Sequence, residues 1–461
     1  MTSDTAAARR HELIMAGAAA ALLVAQQVAG KATRDALFLT AFDPRRLPIV
    51  MASGAVLSLL AVLAMSRAMA IQGPARTLPA ALVANSTFFI IEWIAAPLFR
   101  DGTAVAVYLH VAALGSVLIS GFWTLTSERF DPNRAKRHFS RIAAGGTLGG
   151  VIGGVSVEII AGRFGARAML LVLAIASLVA AGVITWIGTS GRADEMQNDD
   201  AGAAPSAFGL IARKPYLRSL GAMSLLAAVW AALLDFAFKA QASRVYEDDA
   251  SLVSFFAWFY TGASIVTFVV QSVLGRAVLH RVGLPGTIML LPLAVAIGGL
   301  GLLFGSPFPA LVAVRAGESV ISNSLYRAAY EQLFTPLSPE TKRPTKMLVD
   351  VAATRIGDAL GALLVLALIY SWYQMPVVVP VVVAAGAALF SLLIVPRLAN
   401  GYVEALRAAL RGGTVAFEEH GALDATTRRT LSDTAVALDR ERLLREIEAL
   451  RRAADGAPPL R

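Results

Sequence analysis

The sequence predicts an all-α membrane protein: twelve transmembrane helices in two six-helix bundles, followed by a helical cytoplasmic tail. Three observations lead there. The 461 residues are 56% hydrophobic and 16% charged, where an average soluble domain carries about 25% charge. Residues 168–191, 282–314 and 359–396 hold no charged side chain, and each run meets the ~20 residues that a spanning helix needs. One polar, Gly/Ala/Asp-rich connection, residues 190–215, divides the apolar runs six and six.

Gly, Pro and charge punctuate the apolar runs and set each element in turn. Span 1 (12–30) stops at Lys31. Span 2 (47–70) follows Pro44-Arg45-Arg46 and ends before Gly73-Pro74; span 3 (77–99) ends at Arg100-Asp101, and span 4 (103–127) at Glu128-Arg129. Span 5 (141–162) contains the run Gly145–Gly154, whose small-xxx-small spacing suits close helix contact. Span 6 (167–189) closes the first half. Span 7 (216–240) follows Lys214-Pro215, and span 8 (250–275) follows Glu247-Asp248-Asp249. Span 9 (283–304) ends at Gly305-Ser306-Pro307, span 10 covers 308–331, span 11 covers 347–371, and span 12 (376–396) opens at Pro376. The domains are therefore 1–189, a linker 190–215, 216–396 and a tail 397–461. In the tail, Leu431, Leu438, Leu443, Ile447 and Leu450 alternate with Arg and Glu as in an amphipathic helix. That helix packs on the cytoplasmic face or a neighbouring protomer, or else presents a surface to a cytoplasmic partner.

Charge orients the map. Of the 41 lysines and arginines, 18 fall in the connections on the side of both termini, 11 more in the tail and nine on the opposite side. The excess places both termini in the cytoplasm. The first apolar stretch runs into a polar segment without a small-residue cleavage site, so no cleavable signal peptide is expected. Six Lys against 35 Arg in an Ala-rich chain suit a GC-rich bacterial genome, and a multi-pass protein of a bacterial inner membrane is expected. The net charge of +9 reports orientation, and nucleic acid is not expected as a partner.

Several chemistries are excluded. There is no cysteine, hence no thiolate catalysis or Cys-bound metal, and the five histidines stand singly without ligand spacing. The only Gly-Lys pair, Gly30-Lys31, is followed by Ala32, so no Walker loop exists. No cofactor is called for, and no spacing offers an acid–base or nucleophile set, so an enzyme is the weakest reading.

A charge inside a span costs several kcal/mol unless it is paired or faces water, which makes each one a functional candidate. Lys31, Arg34 and Asp35 cluster at the end of span 1, where two cations on one face can hold a phosphate or carboxylate. Asp235 and Lys239 in span 7 are four apart, a self-contained ion pair or one that a substrate opens. Lys346, Asp350, Arg355 and Asp358 form a charged stripe along span 11. Glu92, His110, Glu158, Arg315, Glu318 and Arg327 read as structural; Arg315–Glu318 suits a local pair, and Glu92 meets His110 only if spans 3 and 4 pack suitably. For Gly145–Gly154, packing is favoured over phosphate cradling.

The six-plus-six layout resembles the major facilitator architecture, in which two bundles rock about a midplane site. Four blocks resemble a narrower family, the nucleotide transporters (ATP/ADP antiporters) of plastids and obligate intracellular bacteria. They are RDALFLTAFDPRRLP, GSVLISGFWTLTSERFDPNRAKRHF, LLDFAFKAQ and EQLFTPLSPETKRPTKMLVDVAATRIGDALG, within residues 27–365. The resemblance implies ATP/ADP exchange or related nucleotide transport. It sets Arg34 at the family's lysine position, Asp235 at its acidic position and Lys239 at its lysine, with Lys346, Asp350 and Arg355 in step along span 11. The chain departs where Ala112-Ala113-Leu114, and no glutamate, precede Gly115-Ser116. The leading expectation is exchange of nucleotides or related anions by alternating access, with Lys31, Arg34, Asp35, Asp235, Lys239, Lys346, Asp350 and Arg355 binding the substrate. The alternatives are a facilitator for another organic or phosphorylated solute and a non-transporting scaffold that acts through its tail.

Overall fold

The computed structural model describes residues 3–129, 132–190, 214–305, 308–337, 345–346, 348–372, 375–411 and 424–434. All secondary structure among them is helical, as lipid requires of a chain whose backbone must satisfy its own hydrogen bonds. The first half comprises α1 (Ser3–Ala41), α2 (Leu47–Gln72), α3 (Pro74–Ala95), α4 (Arg100–Arg129), α5 (Pro132–Phe164) and α6 (Ala166–Ser190). The second comprises α7 (Pro215–Val245), α8 (Asp249–Val269), α9 (Gly275–Gly301), α10 (Phe308–Ile321), α11 (Arg327–Gln332), α12 (Thr354–Ser371), α13 (Val378–Leu392) and α14 (Val395–Arg411). Ten helices among the described residues are long and apolar enough to cross a membrane, so this is a multi-pass membrane protein. The longest such stretch, Ala250–Phe304, is broken at Gly283, whose φ of 74° is open to glycine and strained for other residues.

Three π-helical turns interrupt the second half. Val270–Leu274 follows α8, Ser322–Tyr326 joins α10 to α11, and Leu348–Ala353 precedes α12. A π turn inserts one residue into the α ladder and is found often at functional sites.

The halves meet through α1 and α5 against α8, and through α2 against α12. Two cores show which end of this seam is shut. One core stays within the first half, around Leu23, Leu78, Phe122 and Ile184. The other crosses between the halves, and its first-half members, such as Phe38, Val50, Tyr108 and Val157, lie toward the end remote from the 190–214 linker. Aromatic rings crowd that far end: Phe38–Tyr108 centroids are 5.2 Å apart, Phe238–Phe259 4.4 Å and Tyr246–Phe255 4.8 Å. Such pairs add about 0.5–1.5 kcal/mol each beyond burial.

The glycine run in α5 serves the contact between α1 and α5. A Cβ at Gly145, Gly149 or Gly153 would fall 2.5, 2.0 or 2.4 Å from the carbonyl oxygens of Gly17, Ala21 and Ala25. Only hydrogen fits there, and the backbones approach accordingly.

On the linker side, α14 packs its buried Leu398, Tyr402 and Leu406 beneath the second half. Residues 424–434 follow on the same side. Thr426 Oγ1 accepts the Leu284 N–H beside the Gly283 break (3.3 Å), Tyr402 and Thr427 share a hydrogen bond (2.7 Å), and Arg428 reaches His280 (2.8 Å). Of the expected amphipathic tail helix, Leu431 is described and buried; Leu438, Leu443, Ile447 and Leu450 lie outside the described residues.

Candidate functional site

Helix α1 does not end at Gly30, where the first charge suggested a membrane edge; it runs on to Ala41 and carries Lys31, Arg34 and Asp35 within it. Asp35 is wholly buried and organises what surrounds it. The Arg34 guanidinium donates to its Oδ1 at 2.8 Å, Lys239 Nζ lies 3.1 Å from the same oxygen, and Tyr260 donates to Oδ2 at 2.7 Å. Lys239, 1% exposed, also meets Asp235 at 2.7 Å, and Arg315 reaches Asp235 at 3.1 Å while holding Glu318. The chain of pairs thus crosses from α1 to α7, α8 and α10. Asp235 stands 20 residues from Pro215 and ten from Val245, about 30 Å and 15 Å along the helix at 1.5 Å per residue.

Arg34, Asp235, Lys239, Tyr260 and Arg315 line a cavity of about 320 Å³ together with Lys31, Tyr108, Ser116, Arg355 and Asp358, while Asp35 and Glu318 hold lining cations from behind. The Arg34 guanidinium stacks 4.6 Å over Tyr108, and Arg355 donates to Asp358 (2.9 Å) and Ser116 (3.3 Å), reaching α4 from α12. Five cations, Lys31, Arg34, Lys239, Arg315 and Arg355, face four carboxylates, Asp35, Asp235, Glu318 and Asp358. Lys31 has no ion pair among the described residues and points into the chamber as its uncompensated charge. An anion entering the cavity meets Lys31 directly and competes with the two aspartates for the other cations.

Of the eight residues expected to bind substrate, six gather here: Lys31, Arg34, Asp35, Asp235, Lys239 and Arg355. Lys346 does not line the cavity; it is about one-third exposed and pairs with Glu331 (2.5 Å), which also holds Arg327 (2.7 Å). The side chain of Asp350 lies outside the described residues, although its backbone belongs to the π turn before α12. Arg315, read from its spacing as the structural partner of Glu318, holds that residue and also faces the chamber through Asp235. Tyr108 and Tyr260 carry no charge and left no mark in the sequence. Among the described residues no cluster of three or more metal-ligating side chains occurs.

A second polar network lies within the first half. His110 Nδ1 meets the Glu92 carboxylate at 3.0 Å, so spans 3 and 4 do bring these residues face to face. His110 Nε2 meets Asn85 Oδ1 at 2.9 Å; Asn85 and Gln26 both donate to Ser177 Oγ at 2.9 Å, and Ser177 donates to the Leu173 carbonyl. Since the Ser177 hydrogen goes to Leu173, Asn85 must turn its NH₂ to Ser177 and its oxygen to His110.

Comparison with known proteins agrees with this architecture. Residues 91–402 match the family described as TLC ATP/ADP transporter. The chain is 23% identical to ADP,ATP carrier protein 1 of Chlamydia pneumoniae, over 58% of this chain and 61% of the relative. It is 24% identical to ADP,ATP carrier protein 3 of Rickettsia bellii, over 55% and 61%. The match thus spans about three-fifths of these relatives' length. Among solved structures, the nucleoside transporter NupG carrying a point substitution superposes with a TM-score of 0.66 at 13% identity, covering 84% of this chain and 99% of that one. A bacterial homologue of the human lysosomal transporter Spinster, in an inward-facing and unoccupied conformation, gives 0.51 at 14% identity, covering 88% and 98%. These likenesses show that the chain shares the fold of these structures.

Proposed function

Because the chain belongs to the TLC ATP/ADP transporter family, we propose that it is a secondary transporter that exchanges nucleotides, ATP and ADP foremost, by alternating access. The observation that carries this reading is the ion-pair chain from α1 to α10, which joins the two halves around a chamber with one surplus cation. In the empty chamber Asp35 and Asp235 hold Arg34, Lys239 and Arg315. A polyphosphate brings several negative oxygens to the same cations, and Arg34, Arg315 and Arg355 can each take two of them in a fork. The loaded and empty chambers therefore favour different pairings, and a ligand shifts a conformational equilibrium only through such a difference. Exchange follows when the loaded cluster passes between the two arrangements more readily than the empty one.

Twelve traverses are reached by dividing Ala250–Phe304 at Gly283 and by counting 308–332, whose charges face the chamber and the linker side. The helices up to Ser190 and those from Pro215 then act as two bundles that rock about the seam. Lys31, Arg34 and Lys239, counted with the far side in the sequence, sit inside helices; Arg45, Arg46, Arg100, Arg163, Arg167 and Arg244 remain there. This supports a cytoplasmic linker, termini and tail in a bacterial inner membrane. The aromatic seal then lies at the periplasmic end, and Lys346 with Glu331 stands at the cytoplasmic mouth.

Uptake of labelled ATP and ADP into proteoliposomes, preloaded with unlabelled nucleotide or left empty, tests the reading. Uptake that depends on internal nucleotide is expected. Absence of any nucleotide uptake by folded protein would overturn it.

A further inference from the structure

Beside the charged chamber lies a second cavity of about 330 Å³, and the two share Gln27, Lys31 and Tyr260. Its chemistry differs. Past Lys31 at the boundary no charged residue lines it; set among aliphatic and hydroxyl side chains, its wall carries rings, Phe122, Trp123 and Phe268, and carboxamides, Gln27, Gln271 and Asn323. Two of the three π turns contribute to this wall, each with its amide: Gln271 belongs to Val270–Leu274 and Asn323 to Ser322–Tyr326. Two distortions on separate helices, each at a cost in backbone bonding, converge on one space. The side-chain amides of Gln27 and Gln271 have no hydrogen-bond partner among the described residues, and Asn323 donates to Ser319, which leaves its oxygen to accept.

We infer that this second cavity is the subsite for the uncharged, planar, hydrogen-bonding end of the substrate, the nucleobase, with Trp123, Gln271 and Asn323 setting the preference. The inference rests on the nucleotide reading of the charged chamber and adds to it a division of labour. Phosphates sit on the far side of Lys31 and Tyr260, and the ring on the linker side. Amides suit the ring because each can donate and accept, whereas a charged wall would compete for the phosphates. Aromatic faces stack any base, and the amides discriminate among them.

Inhibition of labelled ATP uptake, by unlabelled nucleotides on one hand and by inorganic tripolyphosphate on the other, separates the two cavities. In the unmodified protein nucleotides should inhibit at lower concentration than tripolyphosphate, which lacks the ring. Trp123→Ala should narrow that advantage by roughly tenfold, and Gln271→Leu or Asn323→Leu by roughly five- to tenfold. All three should keep the tripolyphosphate inhibition, which also certifies their folding. Lys31→Ala should do the reverse. If the protein transports nucleotides but all three variants keep the full advantage, or if tripolyphosphate inhibits as well as ATP from the start, the subsite is overturned and the nucleotide reading stands. If no nucleotide is transported, the nucleotide reading fails first and the base subsite with it.

Discussion

The Glu92–His110 network, built mostly of neutral amides and a hydroxyl, and the Asp35–Lys239 network, built of full charges, differ above all in what they join. The first ties α1, α3, α4 and α6, all within one half, through Asn85, Ser177 and Gln26. The second ties α1 to α7, α8 and α10, across the seam. When two bundles rock, a network inside one of them travels unbroken. In the rocking proposed above, a network across the seam is broken and remade in each cycle. Buried polarity in a transporter is thus either part of a moving body or part of the joint between bodies, and the partners decide which.

Substitutions can break that contrast or sharpen it. The largest effect belongs to Asp35→Ala, which strips Arg34, Lys239 and Tyr260 of a shared partner. Leaving buried charge uncompensated costs about 3–5 kcal/mol, so both the thermal midpoint in detergent and nucleotide uptake should collapse. Lys31→Ala comes next. It removes a cation that no ion pair among the described residues requires, so uptake should fall at least about tenfold while the thermal midpoint falls much less than in Asp35→Ala; an unfolded variant would show that Lys31 is structural. Lys346→Ala should act at the mouth, raising the KM for uptake a few-fold at low salt and less at high salt, as an exposed cation does; an equal loss of maximal rate would move Lys346 into the joint. Glu92→Gln should alter uptake least. It weakens a charge-assisted bond worth about 1.5–3 kcal/mol, so the midpoint drops while uptake per folded molecule holds. A Glu92→Gln variant that folds normally and does not transport would erase the distinction between the networks.

Much of this was legible in the residues. Charge-free runs and punctuation carry the helical membrane architecture, because lipid penalises polar atoms strongly enough to write itself into composition. Five cavity residues, Lys31, Arg34, Asp235, Lys239 and Arg355, and the buried Asp35 that pairs with two of them were legible because a charge within an apolar run is conspicuous. The errors have local causes. Lys31 was taken as a membrane edge, although the cavity lets α1 carry it inside. The Arg315–Glu318 pair expected from spacing is present, and what spacing along one helix could not show is the further partner, Asp235, on another. The π turns, and with them Gln271 and Asn323, leave no trace in hydropathy, since one inserted residue barely alters an apolar run.

The ladder between α1 and α5 also constrains how the gene can drift. Every single-base change in a glycine codon that alters the residue adds at least a Cβ, and at 145, 149 and 153 even the methyl of alanine collides with the carbonyl of Gly17, Ala21 or Ala25. These three codons have no small step to take. The proposed base subsite can change through Gln271 or Asn323 one replacement at a time, while the α1–α5 rail has no such freedom at these three positions.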